Sequence, residues 1–424
     1  MRTVGRYLPR LIDRELDTYL QGFGGVLVEG AKWCGKTWTG RHHANSAAYV
    51  DDPKVRAQAD LVPKSVLDGA SPRLIDEWQD APVLWDVARR IIDDAPGRGL
   101  FIFTGSAVPP RQGTSHSGTG RFARLRMRPM SLFESGASSG LVSLQDLLNG
   151  QDFEPVVSEL DYHAVVRLIC RGGWPGSLGL SDPIALAMPR QYLTAVAQSD
   201  LQRLDGVGRD PGRVRAVLAA LARNTATQAR LGIIHHDSLV ERDQQEAGSP
   251  STTRRYLRAL DQIFVLDDLP GWIFSLRSRT QMRSSPKRHL ADPSLAVAAL
   301  GATPAKLEAD PNTTGFLFES LCVRDLRVYA QACQADVSHY RDNKGLEADA
   351  IVEGLDNKWG AIEVKLGRAQ VDQAAQNLLR LRKKLTGVSE LAPPAFLMVL
   401  TATTGLAHTR PDGVHVVPID CLGP

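Results

Sequence analysis

The sequence predicts an α/β fold in which a mainly parallel sheet carries helices on both faces. Two observations predict it. Short apolar runs alternate with amphipathic helical patterns over residues 1–143, which is typical of parallel sheets. The run Gly25–Glu29 also leads directly into a loop of the form G-x-x-x-x-G-K-T, and a helical pattern follows. A strand, a glycine-containing loop and a helix in this order predict a phosphate-binding loop. The expected strands are residues 26–29, 48–50, 73–75, 100–104 and 124–127.

The loop itself is the first candidate site. Successive backbone N–H groups in such a loop converge on a phosphate. Lys36 adds positive charge toward the β- and γ-phosphates, and the Thr37 hydroxyl is a ligand for Mg²⁺. The sequence therefore predicts ATP contacts from Gly30, Ala31, Lys32, Trp33, Cys34, Gly35, Lys36, Thr37 and Trp38.

An acidic pair follows the predicted strand at 73–75. Asp76 is expected to hold Mg²⁺, and Glu77 is expected to act as the general base that activates the attacking water. The alternative is a surface acidic pair at the end of a strand. The phosphate loop upstream favours the catalytic interpretation.

Two further residues are candidates for contact with the γ-phosphate. The strand at 100–104 ends in Gly105-Ser106, and a polar side chain at such a strand end lies beside the catalytic water. Ser106, or Thr104, is the candidate there, and an ordinary turn is the alternative. The loop at 109–120 ends in Arg121, which is expected to reach the γ-phosphate of a neighbouring subunit in a homo-oligomer. A local ion pair is the alternative for Arg121.

Several short motifs occur in an order that resembles one known group of proteins. The group is the bacterial and archaeal AAA+-type ATPases predicted from sequence, which carry an AAA_14 nucleotide domain followed by a DUF4143 region. The resemblance implies ATP binding and hydrolysis. The pair Trp33-Cys34 departs from it, because smaller residues are commoner inside the loop. The motifs are Tyr7-Leu8-Pro9-Arg10, the phosphate loop, Leu74-Ile75-Asp76-Glu77-Trp78-Gln79, Phe103-Thr104-Gly105-Ser106, Gly120-Arg121 and Arg128-Pro129-Met130-Ser131-Leu132-Phe133-Glu134.

The chain divides into four expected parts. Residues 1–143 form the P-loop ATPase domain, and 144–205 form a helical linker or lid. Residues 206–300 are expected to be winged-helix-like, and 301–424 to be a nuclease-like domain with an α/β restriction-endonuclease-like fold.

In the winged-helix-like part, a helical pattern begins near Ser251, after residues that favour helix N-caps. Its apolar residues lie on one face, and Arg254, Arg255 and Arg258 lie on the other. Short strands at 264–266 and 272–274 are expected to form a hairpin behind it. Such a helix can enter the major groove of DNA, with the arginines facing phosphates. Winged helices also serve as protein contacts, and this alternative stays open.

The last part holds a second candidate site. Glu319 lies at the start of a helical pattern, Asp349 lies in one predicted strand, and Glu363 and Lys365 lie in the next. Because side chains alternate along strands, Asp349 and Glu363 can meet around Mg²⁺ with Lys365 beside them. Glu319 is the expected third ligand, and Lys365 would help to activate water. This pattern resembles the PD-(D/E)XK nuclease superfamily. A domain that has lost catalysis and a salt-bridged strand pair are the alternatives.

The composition excludes several classes of protein. Of the 424 residues, 43% are apolar and 23% are charged, which is typical of globular domains. There is no apolar run of membrane-spanning length, so no membrane partner is expected. The N-terminal residues lack a signal-peptide core, and the five cysteines have no metal-type spacing, so a cytoplasmic location is expected. A net charge of +3 rules out a polycation.

These features lead to one principal function and two alternatives. We expect hydrolysis of ATP to ADP and phosphate, with Mg²⁺, coupled to a nucleic-acid transaction that involves DNA. One alternative is an ATP-dependent, Mg²⁺-dependent nuclease. The other is a nucleotide-switched protein-interaction ATPase.

Overall fold

A computed structural model describes residues 7–94, 97–107, 118–239, 249–273, 285–386 and 391–424. The first part is a sheet of five parallel strands, which confirms the predicted fold class. The strands are β1 (Gly25–Glu29), β2 (Ser46–Tyr49), β3 (Arg73–Asp76), β4 (Phe101–Gly105) and β5 (Phe122–Arg126). Their helices are α1 (Asp13–Gly22), α2 (Lys36–His43), α3 (Pro53–Leu61), α4 (Pro63–Leu67) and α5 (Val83–Asp94).

The strand order β2-β3-β4-β1-β5 positions the site. β4 lies between β1 and β3 and is parallel to both. The residues that follow these three strands therefore lie side by side, at the carboxyl ends of the strands. One face of the sheet is covered by an aromatic cluster in which Trp85 stacks on Trp78 and Phe122. The other face packs on α1 through Leu16.

The N-terminal helix is shorter than the one that the helical spacing of Leu8, Leu11, Ile12, Leu16 and Leu20 predicts over residues 1–20. Residues 1–6 lie outside the described residues, and residues 7–10 are not helical, so α1 begins only at Asp13. The prediction of a helix over 1–20 is wrong at 7–12. The reason is tertiary, because the side chain of Arg10 is buried against the phosphate loop.

The following segment is mostly helical, as its sequence predicts. It contains β6 (Val142–Ser143), α6 (Leu144–Leu148), β7 (Val156–Val157), α7 (Tyr162–Arg171) and α8 (Asp182–Ala195). A π-helical turn, Val196–Asp200, joins α8 to α9 (Leu201–Asp205). π-helical turns inside longer helices are frequent at functional sites.

Three helices come next: α10 (Pro211–Arg223), α11 (Leu231–Leu239) and α12 (Pro250–Gln262). The hairpin predicted between 264–266 and 272–274 is wrong. Leu266 and Leu269 instead bridge antiparallel to Leu290 and Lys287. Trp272 is drawn into the C-terminal domain, where it packs on Trp359, and residue 274 lies outside the described part.

A second sheet of seven strands forms the C-terminal part, in the order β7-β12-β13-β11-β10-β9-β8. Its strands are β8 (Asp336–Arg341), β9 (Glu347–Glu353), β10 (Trp359–Lys365), β11 (Phe396–Thr401), β12 (Leu406–Thr409) and β13 (His415–Pro418), and a short β14 (Leu422–Gly423) pairs with β6. The helices around it are α13 (Pro293–Ala299), α14 (Pro304–Glu308), α15 (Pro311–Ala332) and α16 (Val371–Leu385). None of the helices in the described ranges has the length and apolar character that a membrane span needs.

Candidate functional site

The loop between β1 and α2 takes a shape that depends on its glycines. A Cβ atom at Gly30 would lie 2.0 Å from the carbonyl oxygen of Met127, so no side chain fits there. Gly35 has φ 109°, in the left-handed region that glycine adopts without steric cost. The backbone therefore curls around the N-terminus of α2, where N–H groups are free of helical partners.

Lys36 lies inside this curl. Its side chain is buried, and its ammonium donates to the carbonyl oxygens of Gly30 at 2.9 Å and Ala31 at 2.8 Å. The positive charge is thus held at the centre of the loop. This is the position from which a lysine can meet the phosphates of a nucleotide.

The first acid after β3 is tied to the loop. The Thr37 hydroxyl donates to Asp76 at 2.9 Å, and Thr104 on the neighbouring β4 also donates to this carboxylate. Asp76 is 5% exposed, and burial raises its pKa even though both hydroxyl donors lower it. A positive partner is therefore favourable here, because a buried carboxylate is costly without one.

Glu77 lies next to Asp76 in an unusual backbone conformation. Its φ is 53°, in the left-handed region, which costs free energy for a residue with a side chain. The conformation aims its carboxylate at the edge of the sheet, where Ser106 donates to it at 2.9 Å and Gln79 also donates to it. Ser106 and Glu77, predicted separately, are thus in direct contact.

The loop contacts the helical segment through two side chains. The Lys32 ammonium lies 2.6 Å from Oδ1 of Asp200 in the π-helical turn. Trp33 packs edge-on against Tyr192 of α8, with ring centroids 5.6 Å apart, and Tyr192 stacks on Trp174. Asp200 and Tyr192 were not predicted, because no motif surrounds them. Two other residues of the predicted ATP-contacting set differ in exposure. Cys34 is buried, whereas Trp38 is about half exposed, with the guanidinium of Arg41 over its ring.

Arg10, the last residue of the motif at 7–10, also contacts the loop. The sequence alone gave it no role. Its guanidinium donates to the carbonyl oxygen of Cys34 at 2.7 Å and to that of Arg128 at 2.8 Å, and it pairs with Glu134 at 2.9 Å. It therefore fixes the back of the loop. Through Arg10, the motif at 7–10 thus contacts the motif at 128–134 behind the loop.

A cleft of about 600 Å³ opens beside the loop. Its lining comes from the sheet, from α9 and from the end of α12, so three parts of the chain meet in it. The lining residues are Lys32, Asp51, Arg56, Glu77, Gln79, Asp80, Ser106, Ala107, Tyr192, Asp200, Arg203, Leu204 and Ile263.

Arg121 lies far from this cleft. It directly precedes Phe122, the first residue of β5, which pairs with Gly25 at the start of β1. Arg121 is therefore at the amino ends of the strands, whereas the phosphate loop follows the carboxyl end of β1. Its Nε lies 2.7 Å from Asp93, and its side chain is 44% exposed. Arg121 cannot reach the loop of its own chain from this end of the strands.

The three predicted DNA-contacting arginines are exposed. Arg254, Arg255 and Arg258 lie on the outer face of α12, whereas Tyr256 and Leu260 on its inner face are buried. Ile263, directly after α12, lines the nucleotide cleft. One helix thus runs from a basic surface to the cleft.

The four predicted residues of the C-terminal site also come together, with one addition. Asp349 accepts from the Val364 backbone N–H at 2.9 Å, and the Lys365 ammonium lies 2.7 Å from Glu363. The Lys287 ammonium, which was not predicted, lies 2.6 Å from Glu319 and 2.9 Å from Asp349.

Burial sets the charges of this cluster. It raises the pKa of Glu319 to about 8 and that of Glu363 to about 7, and the nearby Asp349 carboxylate adds to both shifts. Burial would also raise the pKa of Asp349, but Lys287 and Lys365 together lower it to about 2. Asp349 thus differs from the other two carboxylates, because two neighbouring ammonium groups lower its pKa whereas burial raises theirs.

The expected metal does not fit this cluster as it stands. A cation held by Glu319 and Asp349 together would take the place of the Lys287 ammonium. Within the described residues, no group of three histidine, cysteine, aspartate or glutamate side chains is arranged to hold a metal ion.

Comparison with known proteins gives three family matches. Residues 23–135 match an AAA domain (AAA_14), 162–306 match a domain of unknown function (DUF8612), and 314–422 match another (DUF4143). Among curated proteins nothing matches.

Solved structures show remote similarity. The Walker-type ATPase PABY2304 of Pyrococcus abyssi is 12% identical with a TM-score of 0.41, over 70% of this chain and 97% of that one. The FIGL-1 AAA domain in complex with ADP is 14% identical with a TM-score of 0.24, over 61% of this chain and 85% of that one.

The phosphate loop, the parallel sheet and the AAA match define the class of protein: it is an ATP-binding P-loop ATPase of the AAA type. More particularly, the chain carries an AAA_14 domain at 23–135 and a DUF4143 domain at 314–422, which confirms the two domains, and their order, that its motifs predict.

Proposed function

We propose that this ATPase hydrolyses ATP in the cleft beside the phosphate loop and uses the cycle to control contact between α12 and DNA. The observation that carries the proposal is the course of α12. Its outer face presents Arg254, Arg255 and Arg258, and the residue that follows it, Ile263, lines the cleft together with Glu77.

The loop and Lys36 bind the phosphates of the nucleotide in this proposal. The buried ammonium is held by two carbonyl oxygens, which are weaker partners than a phosphate, so a nucleotide gains from replacing them. Gly35 and the first N–H groups of α2 complete the cradle.

Thr37 and Asp76 are the proposed Mg²⁺ ligands. A hydroxyl and a carboxylate are the oxygen ligands that Mg²⁺ takes, and the two groups already lie 2.9 Å apart. The raised pKa of the buried Asp76 also favours a positive partner. When bound, Mg²⁺ neutralises charge on the β- and γ-phosphates.

Glu77 is the proposed general base. Its strained backbone and its bonds to Ser106 and Gln79 hold the carboxylate at the edge of the cleft, where it can accept a proton from an attacking water. Ser106 then has two roles, to orient Glu77 and to sense the γ-phosphate. Arg121 is the proposed finger residue in trans, because it is exposed on the opposite edge of the sheet from its own loop.

The coupling to DNA rests on the connections of the cleft. Nucleotide binding next to Lys32 alters its pair with Asp200, and the π-helical turn that carries Asp200 continues into α9, which packs against α12. A structural change at the phosphate loop can therefore be transmitted through Asp200 and α9 to the face of α12 that carries the arginines. The helices α10, α11 and α12, followed by antiparallel bridges from Leu266 to Leu290 and from Leu269 to Lys287, support a winged-helix-like arrangement of this part.

A binding measurement tests the DNA contact. Fluorescence anisotropy of a labelled duplex should show affinity that falls steeply with salt, and replacing Arg254, Arg255 and Arg258 with alanine should lessen the slope, by about 0.9 for each lost phosphate contact. The matched control removes the same charge elsewhere, at the exposed Arg14, Arg90 and Arg98.

Two results would redirect the proposal. Equal loss in the control variant would mean that only net charge matters. No binding to DNA at low salt would favour the protein-interaction alternative, in which the same arginines contact an acidic partner.

A further inference from the structure

Lys287 lies at the position in the C-terminal cluster where a divalent cation was expected. Its ammonium is bonded to Oε1 of Glu319 at 2.6 Å and to Oδ1 of Asp349 at 2.9 Å. These two oxygens belong to different elements, α15 and β9. A cation that bridges α15 and β9 is therefore already present, and it is part of the chain.

The other groups of the cluster agree with this arrangement. Lys365 pairs with Glu363 at 2.7 Å and lies 3.5 Å from the second oxygen of Asp349, which also accepts from the Val364 N–H. The three carboxylates thus face two ammonium groups inside the protein. Oε1 of Glu363 has no hydrogen-bond partner among the described residues, so one carboxylate oxygen remains open.

Lys287 is held firmly in this position. Its backbone N–H and C=O both bond to Leu269, at 3.0 Å and 2.9 Å, in the strand pair that follows α12. The adjacent Arg288 pairs with Asp268, and Lys287 itself is 7% exposed. Lys287 is therefore a buried part of the cluster and not an exposed surface lysine.

An ammonium and a divalent cation exclude each other at such short range. The ammonium uses the lone pairs that a metal would need, and a second positive charge a few ångströms away would be repelled strongly in a buried setting. Removing one partner of a buried ion pair is also costly, because the other charge is left uncompensated. The lysine is therefore expected to keep its place against free Mg²⁺.

We propose that the Lys287 ammonium is the resident cation of this cluster, in place of a nuclease metal. The cluster then binds no divalent cation and cuts no phosphodiester bond. It serves instead as an ionic anchor that fastens the strand pair behind α12 onto α15 and β9 of the C-terminal domain.

Manganese binding to the full-length, nucleotide-free chain tests the proposal. Isothermal titration with Mn²⁺ should give the same result for the wild type and for Glu363→Gln, because no metal contacts Glu363 while Lys287 is in place. Lys287→Ala should gain one Mn²⁺ per chain, and Lys287→Ala/Glu363→Gln should lose it again. Lys344→Ala, at an exposed turn, is the matched control and should gain none.

Thermal unfolding supplies a second readout. Mn²⁺ should raise the unfolding midpoint of Lys287→Ala and leave that of the wild type unchanged. A wild-type site for Mn²⁺ that Glu363→Gln abolishes would overturn the proposal, and that comparison needs no Lys287 variant. Failure of a folded Lys287→Ala chain to gain a site would overturn it as well.

Discussion

The Lys32 ammonium of the phosphate loop lies 2.6 Å from Oδ1 of Asp200, in the π-helical turn between α8 and α9. The two residues are 168 positions apart in the chain, and the Asp200 side chain is 7% exposed. The pair joins the nucleotide loop to the segment that leads to α12.

The first prediction concerns this pair. Lys32→Ala and Asp200→Ala should each change the ATP dependence of turnover, and the double variant should cost less than the sum of the two. The expected coupling is about 0.5–3 kcal/mol, because residues in direct contact are not additive. Steady-state ATPase kinetics on all four proteins measure it. Strict additivity would show that the pair does not connect the loop to the helical segment.

The second prediction concerns Glu77. Glu77→Gln should lower kcat by about 10²–10⁴-fold, the usual contribution of a general base, while nucleotide binding persists. Asp80→Asn, which lines the same cleft, is the control and should have a much smaller effect. Binding of a fluorescent ATP analogue separates lost chemistry from lost affinity. Near-normal turnover in Glu77→Gln would assign the base elsewhere.

The third prediction concerns the glycine that shapes the loop. Gly30→Ala places a methyl group 2.0 Å from the Met127 carbonyl oxygen, so the backbone must move. We expect a loss of about 1–3 kcal/mol of stability, together with loss of nucleotide binding. Gly22→Ala meets no atom within 4 Å and is the matched control. Equal denaturation midpoints for the two variants would contradict the close approach.

The fourth prediction concerns pH and the packing of α1 on α2. Burial alone would lower the pKa of His43, but Asp13 and Asp17 raise it above its usual value. A raised pKa in the folded state gives stability that is fully present below about pH 6.5 and is lost as pH rises through the folded value.

His43→Gln should therefore cost more stability at pH 6 than at pH 8.5, by a few tenths to about 1 kcal/mol. Urea denaturation at the two pH values measures it. His236→Gln is the control, since that side chain is 79% exposed. An equal loss of stability for His43→Gln at the two pH values would show that the ion pairs of His43 with Asp13 and Asp17 do not cause it.

Local patterns predicted much of this molecule from sequence. The five strands of the first sheet, the loop and the acidic pair follow from short-range rules, because each depends on neighbouring residues. The helix with Glu319 and the strands with Asp349 and Glu363 were found in the same way.

Long-range contacts were not predictable in this way. Lys287 is 62 positions from Asp349, and nothing in the sequence around it indicates that its ammonium meets a carboxylate cluster. The hairpin at 264–274 was wrong for a related reason. Trp272 is an apolar residue that fits a local strand pattern, but it packs on Trp359 of a different domain.

DNA-stimulated ATP hydrolysis measures the proposed coupling between the nucleotide cleft and α12. The rate of phosphate release should rise when duplex DNA is added to the wild type. The Arg254→Ala/Arg255→Ala/Arg258→Ala variant should keep its basal rate and lose the stimulation. A wild-type rate that does not respond to DNA, or full stimulation in the triple variant, would contradict this coupling.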